Sequence, residues 1–442
     1  MRIQLSDHFT YSKLLRFTLP SIVMMIFTSI YGVVDGIFVS NFVGKTPFAA
    51  VNLIYPVLMI LGALGFMVGT GGAAIVAKTL GEGKPALANQ YFTLLVLSAA
   101  AGGAAVSLLG LLFIRPVSAA LGAEGAMLEH CVLYARIILA ANPFFILQNV
   151  FQSFFVAAEK PKLGLSVTVG AGLTNIVLDA LLVAVFPLGL AGAAIATAMS
   201  QVVGGLVPAL YFARENGSLL RLTRTRFYGR VLAKTCANGS SELMSNISSS
   251  LVSILYNFQL IRLAGEDGVA AYGVVMYLAF VFAAIFIGYS VGSAPIISYH
   301  YGAGNSRELG GLLRKSVVLC AIGGAAMAGL SALAAPPLGR IFVGYDPDLL
   351  ALTVRGLRLF ALSFLFSGLN IFGSAFFTAL NNGLISALIS FLRTLVFQCG
   401  SVVLLPLALG VDGIWLSVAA AELAALVLTG IFLAANRRTY RY

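Results

Sequence analysis

Tyr31-Gly-Val-Val-Asp35-Gly-Ile-Phe-Val-Ser40 closes an apolar run that begins near Leu14. Asp35 is the only charged side chain in that run after Arg16. A run of about 20 apolar residues is long enough to cross a bilayer as a helix. A carboxylate at bilayer depth costs roughly 3 kcal/mol or more, so such groups face a cavity and handle ions.

The rest of the chain is of the same kind. Of 442 residues 60% are hydrophobic and only 10% are charged, against about 25% charged in a soluble domain. Twelve apolar segments recur, near 13–40, 47–80, 87–114, 126–158, 162–186, 189–213, 233–262, 268–301, 308–335, 348–380, 383–407 and 411–435. They are continuous, whereas a β-barrel strand would alternate over about 10 residues. The expected fold is therefore all-α: a polytopic membrane protein of twelve transmembrane helices. Pro20, Pro56, Pro143 and Pro295 are candidate kinks.

Charge sets the orientation. With the N-terminus in the cytoplasm, 19 Lys and Arg fall on the cytoplasmic side and 7 on the other, and Arg393 is left inside a helix. The excess of positive charge belongs inside, so both termini are expected in the cytoplasm. The same bias accounts for the net charge of +11. The basic run Arg214–Lys234 reads as a linker beside anionic headgroups, and no nucleic-acid partner is expected. The polar start Met1–Asp7 has no small-residue cleavage site, so no removable leader is expected. The scattered Cys131, Cys236, Cys320 and Cys399 suggest neither a metal site nor a disulfide framework.

The chain repeats itself across its midpoint. Shifted by 221 residues, Gly44 meets Gly265, Ala50 meets Ala271, Gly71 meets Gly292, and Gly81-Glu-Gly-Lys84 meets Gly302-Ala-Gly-Asn305. Gly189 and Gly192 meet Gly410 and Gly413. Each half has an even number of spans, so the repeats are parallel, with substrate expected between them. The expected division is 1–220, helices 1–6, and 221–442, helices 7–12.

Asp35 has company. Asn175 and Asp179 are four apart and share one face of helix 5. At about 1.5 Å per residue, Asp35, Asp179 and Thr197 all reach the outer half of the membrane. Two carboxylates, an amide and a hydroxyl suit a proton pair or a hard monovalent cation such as sodium. The counterparts of Asp35 and Asp179 in the second half are Tyr256 and about Ser401, so the first half alone is expected to couple to the ion. Glu242 opens helix 7, either as an interfacial charge at a helix N-terminus or as a cavity group. Glu422 aligns with Gln201, and Arg393 needs a carboxylate, carbonyls or a route to the interface. Asn149, Gln152, Asn246, Tyr256, Met276, Tyr277 and Asn370 form a polar, aromatic and thioether inventory suited to a broad cavity for amphipathic organic cations. Helix–helix hydrogen bonding is the alternative use of each polar member.

Two motif matches lead nowhere. Gly81-Glu-Gly-Lys84-Pro85 has Pro where a P-loop needs Ser or Thr. Gly288-Tyr-Ser290-Val-Gly292 matches a nucleophile elbow but lies inside an apolar helix, so no enzyme is expected. His300 reads as an interfacial residue.

With twelve helices in two six-helix lobes, Val34-Asp35-Gly36 closing helix 1 and a Gly-rich helix 2 running into Gly81-Glu-Gly-Lys84, the chain resembles the multidrug and toxic compound extrusion (MATE) transporters. The stretch Asp35–Gly44 is most similar to bacterial drug-efflux members. The resemblance implies a V-shaped pair of lobes and export of drugs against inward protons or sodium across the bacterial plasma membrane. It implies no cofactor beyond a bound proton or sodium, and a monomer among membrane lipid. It assigns cation binding to Asp35, Asn175, Asp179 and Thr197, with Tyr31 nearby. A carboxylate deeper in helix 7 is not matched: Asn246 is nearest that place and Glu242 about one turn early. A lipid or lipid-linked sugar flippase of the same superfamily is the alternative.

Overall fold

The computed structural model describes residues 3–344 and 346–442, and within them every side chain except those at 31–33, 36–37, 40–41, 45 and 266. The described residues are helical throughout, apart from short connections. The first half of the chain holds α1 (Tyr11–Phe38), α2 (Lys45–Gly81), α3 (Pro85–Ala120), α4 (Gly125–Ala157), α5 (Pro161–Asp179) and α6 (Gly189–Ala213). The second half holds α7 (Gly229–Gly302), α8 (Ser306–Val343), α9 (Pro347–Ala361), α10 (Phe364–Ala379), α11 (Gly383–Phe391), α12 (Gln398–Leu409) and α13 (Val411–Tyr440).

Among the described residues ten helices are long and apolar enough to cross a membrane, and α9 with α10, bent by 48°, makes an eleventh. The first part of α7 stands where the twelfth span is expected but is less apolar than the others. Gly265 takes φ 62° and ψ −150° and divides α7 into 229–264 and 266–302. A positive φ there costs glycine little and other residues more. The segment 229–264 is less apolar because it carries Arg230, Lys234, Glu242 and a run of serines from Ser240 to Ser250. The four prolines proposed as kinks lie inside α1, α2, α4 and α7, and none breaks its helix. The irregular turns fall elsewhere. Single π-helical stretches follow α1 (Val39–Val43) and α5 (Ala180–Val185), and a third (Leu392–Phe397) joins α11 to α12.

The apolar core reflects the repeat. Two buried clusters draw their members from the first half and one from the second. The fourth is built on second-half residues such as Tyr289, Phe372 and Phe376, but takes in Leu5, Phe9, Leu14, Phe17 and Val156. The N-terminal segment therefore crosses to the other half, at the face that carries both termini. Phe9 N–H donates to Glu308 Oε1 (2.9 Å) and Leu5 N–H donates to Glu159 Oε1 (2.7 Å). His8 Nδ1 lies 2.7 Å from Glu308 Oε2, and Lys315 Nζ donates to the Phe9 carbonyl (2.5 Å). His300, expected at the interface, is 2% exposed with its ring edge-on to Phe9; the strap covers it.

The halves meet along a glycine seam. A Cβ on Gly81 would lie 2.0 Å from the Tyr299 carbonyl oxygen, and one on Gly302 would lie 2.0 Å from that of Lys78. Lys78 and Tyr299 are themselves 221 residues apart, as are Gly81 and Gly302, so the two contacts are one contact seen twice. Gly71 against Gly239 and Gly292 against Thr18 form a second such pair. Glycines that marked the repeat in the sequence are thus the points where helix backbones touch, as small residues do between membrane helices.

Gly239→Ala and Gly302→Ala should each destabilise the fold by about 1–3 kcal/mol through overpacking. Gly170, with nothing within 4 Å of its missing Cβ, should accept alanine without loss. Thermal unfolding of the detergent-solubilised variants checks this, as a lower midpoint for the first two only.

Candidate functional site

The candidate site is assembled where α1, α5 and α6 pack together in the first half. Asp35 lies one turn before the π stretch that ends α1, and Asp179 is the last residue of α5 before its own π stretch. Such stretches re-aim the backbone and are frequent at functional sites. Thr197 Oγ1 donates to Asp35 Oδ1 (3.2 Å), and Asn175 Nδ2 donates to Thr197 Oγ1 (3.4 Å). Asp179 and Asn175 lie close to the Asp35 carboxyl, although neither Asp179 oxygen has a hydrogen-bond partner among the described residues. The four side chains proposed from spacing thus form one cluster. Tyr31 is on α1, but its side chain lies outside the described residues.

Burial makes the cluster chemically demanding. Asp179 is 0% and Asn175 1% exposed, while Asp35 and Thr197 are half-buried. Both Asp179 oxygens and Asn175 Oδ1 have no donor among the described residues. Two carboxylates that face each other form a hydrogen bond only if one carries a proton. Otherwise a cation must sit between them, because like charges in a desolvated site repel strongly. The arrangement is suited to one positive charge, as a proton or a small monovalent cation.

Tyr134 on α4 is a member that sequence reasoning missed. It is 4% exposed and lies beside the Asp35, Asp179 and Thr197 cluster. As one of sixteen tyrosines it gives no local signal; only the packing of α4 on α6 brings it in.

The second half repeats the geometry without the charge. Tyr256, the counterpart of Asp35, hydrogen-bonds through its hydroxyl to Ser417 Oγ on α13, just as Asp35 bonds to Thr197 on α6. Charge in this half lies elsewhere. Arg393, in the π stretch between α11 and α12, makes a two-pronged ion pair with Glu422: Nε to Oε1 at 2.8 Å and Nη2 to Oε1 at 2.6 Å, with Nε to Oε2 at 2.9 Å. Asn370 Nδ2 donates to Glu422 Oε2 (2.7 Å), and Thr429 Oγ1 donates to Asn370 Oδ1 (3.2 Å). Glu422 is therefore the partner that the sequence did not name for Arg393.

The remaining cavity residues do not gather in one place. Asn370 and Tyr256 are used inside the second half as described. Gln152 is inside the first, donating to Thr168 Oγ1 (3.4 Å), and Asn149 donates to the Phe145 carbonyl of its own helix (2.9 Å). Asn246 donates to the Glu242 carbonyl one turn earlier (2.8 Å). Glu242 and Met276 are half-buried, and Tyr277 is exposed and stacked on Phe342.

The profile of the MatE family matches residues 20–181 and 243–401, well over half of the chain and once in each half. The chain belongs to the MATE family. It is a MATE transporter and not an enzyme, and Ser290 is a buried residue of α7. The multidrug export protein MepA of Staphylococcus haemolyticus is 24% identical over 367 residues, covering 81% of this chain and 80% of that one. MepA of Staphylococcus aureus (strain NCTC 8325) is 26% identical over 301 residues, covering 67% and 66%. Among solved structures, an outward-facing multidrug resistance MATE transporter of the MOP superfamily superimposes with a TM-score of 0.93 at 22% identity, covering 98% of this chain and 97% of that one. A MATE structure in a bent conformation gives 0.89 at 23%, covering 99% and 98%. These likenesses show that this MATE chain has the family's fold.

Removing one member of the buried Arg393–Glu422 pair strands the other, which costs about 3 kcal/mol or more, whereas replacing both by apolar residues is often tolerated. Glu422→Met should unfold more easily than Arg393→Met/Glu422→Met, and unfolding of the purified variants tests this order.

Proposed function

We propose that this MATE transporter is a secondary active multidrug exporter of the bacterial plasma membrane. It moves amphipathic organic cations outward against inward protons or sodium, with 1–220 as the coupling half. The observation that carries this is the buried Asp35–Asp179 pair. The similarity to MepA proteins, which export multiple drugs, supports the substrate class. The lysine and arginine bias supports termini in the cytoplasm.

The cycle follows from electrostatics. When the site is open to the outside, a proton or sodium ion joins the two carboxylates and removes their repulsion. Asp35 is on α1, which packs on both α5 and α7 and meets α7 at Thr18, Ser21 and Ile22. A change of charge at Asp35 therefore changes how α1 sits between the halves. Loading from outside releases drug outward; opening to the cytoplasm discharges the ion and admits new drug. A ligand can shift such an equilibrium only by its differential affinity for the two states, and a charge joining a desolvated carboxylate pair supplies one. Arg393, the basic residue that a flippase reading would use, already has its charge matched by Glu422, which favours the exporter.

Efflux of a cationic dye from reconstituted vesicles, with proton and sodium gradients imposed separately, tests this reading. One gradient should drive wild-type efflux, and Asp35→Asn and Asp179→Asn should each lose the driven component. Normal driven efflux by both variants would exclude the coupling role.

A further inference from the structure

We propose that the coupling ion leaves the Asp35–Asp179 site through the interior of the first half, along a file of buried polar side chains between α4, α5 and α6. The file would be gated at its lower end by Gln148, Gln152 and Thr168. This rests on the coupling role proposed above.

The file is built from helix stripes. Thr168, Gly172, Asn175 and Asp179 lie on one face of α5 and are all buried. Thr168 is about 16 Å from Asp179 along the axis, toward the face with the termini. Thr197, Gln201, Gly204 and Pro208 make the matching stripe of α6, which runs the opposite way. Gln148 and Gln152, one turn apart on α4, are 5% and 6% exposed. The three stripes meet at the lower end. Gln152 Nε2 donates to Thr168 Oγ1 (3.4 Å), and a Cβ on Gly204 would lie 2.6 Å from Gln148 Oε1.

An apolar helix interface needs none of these groups, and burying them costs free energy unless they are hydrogen-bonded. Yet Asn175 Oδ1 and Gln201 Oε1, like both Asp179 oxygens, are buried without a donor among the described residues. These acceptors suit a passing cation or protonated water. At the upper end Asp35 is partly exposed, beside the fully buried Asp179. At the lower end the space between Gln148, Gln152, Thr168 and Gly204 is too narrow to take a water molecule. The file is thus shut at its lower end and less covered at its upper end. A coupled carrier needs that asymmetry, because an ion that saw both sides at once would leak.

Vesicles loaded with ethidium separate two rates: efflux driven by an ion gradient, and ethidium counterflow without a gradient, which needs no net ion movement. In Gln148→Met/Thr168→Val, driven efflux should fall about tenfold, the scale of losing one to two hydrogen bonds, while counterflow proceeds at the wild-type rate. Gln148→Met/Thr168→Ser, which keeps the hydroxyl at 168, should retain more driven efflux than Gln148→Met/Thr168→Val. Driven efflux equal to wild type in the double variant would overturn the proposal, since the ion would then leave by the cleft beside Asp35. An equal fall in counterflow would overturn it too, as damage to packing. Asp35→Asn is run alongside: if it keeps driven efflux, the coupling role itself fails, which is a separate result.

Discussion

Two carboxylates in one desolvated pocket are the constraint on which the first half depends. Two like charges about 4 Å apart repel by about 4 kcal/mol even at an effective dielectric near 20. Asp35 and Asp179 cannot both stay charged and unaccompanied there at low cost. Thr197, Asn175 and Tyr134 surround them with dipoles but bring no positive charge. The compensating charge must arrive as an ion. The second half shows the same contact with that demand removed, because Tyr256 and Ser417 satisfy each other. Its own buried carboxylate, Glu422, has a permanent counter-charge in Arg393. In the proposed reading one half takes up a cation, whereas the buried Glu422 of the other is already paired with Arg393.

In the proposed cycle, the glycine seam would let a local charge event become a movement of halves. Helix backbones in contact at Gly81, Gly302, Gly71 and Gly292 leave little side-chain material to repack when the halves part. The cost of opening then falls on discrete contacts, including the strap from Leu5 to Phe9 held by Glu159 and Glu308. Packed interfaces of this kind tend to have two arrangements and few intermediates. α1 links the two devices, since it carries Asp35 near one end and enters the second-half core through Leu14 and Phe17 near the other.

Much of this was legible in the sequence because membrane helices obey a simple rule. Every backbone polar group must be satisfied within its helix, so apolar runs and helices nearly coincide, and the twelve segments match the observed helices to within a few residues except where they extend into the aqueous edge. Helix rise alone placed Asp35, Asp179 and Thr197 at one level, and the structure brings Asp35, Asn175 and Thr197 into hydrogen-bond contact. What was not legible depends on rotation and contact. Arg393 and Glu422 are 29 residues apart on different helices, and nothing local pairs them. Tyr134 gives no signal until α4 packs. The prolines lie inside continuous helices, while the break at Gly265 and the π turns had no equally plain sequence signal. The strap was read as a polar tail, because two apolar residues, Leu5 and Phe9, carry too little pattern to predict docking.

The central claim is that Asp35 and Asp179 share one positive charge. Infrared difference spectroscopy at the carboxyl C=O stretch, comparing the purified protein with Asp179→Asn at neutral pH, with and without sodium, tests it most directly. The expected result is a protonated-carboxyl band in the wild type that the variant lacks; sodium removes the band if sodium is the coupling ion and leaves it if the proton is. Identical wild-type and variant spectra, unchanged by sodium, would contradict it, because both carboxylates would then be ionised without a shared ion.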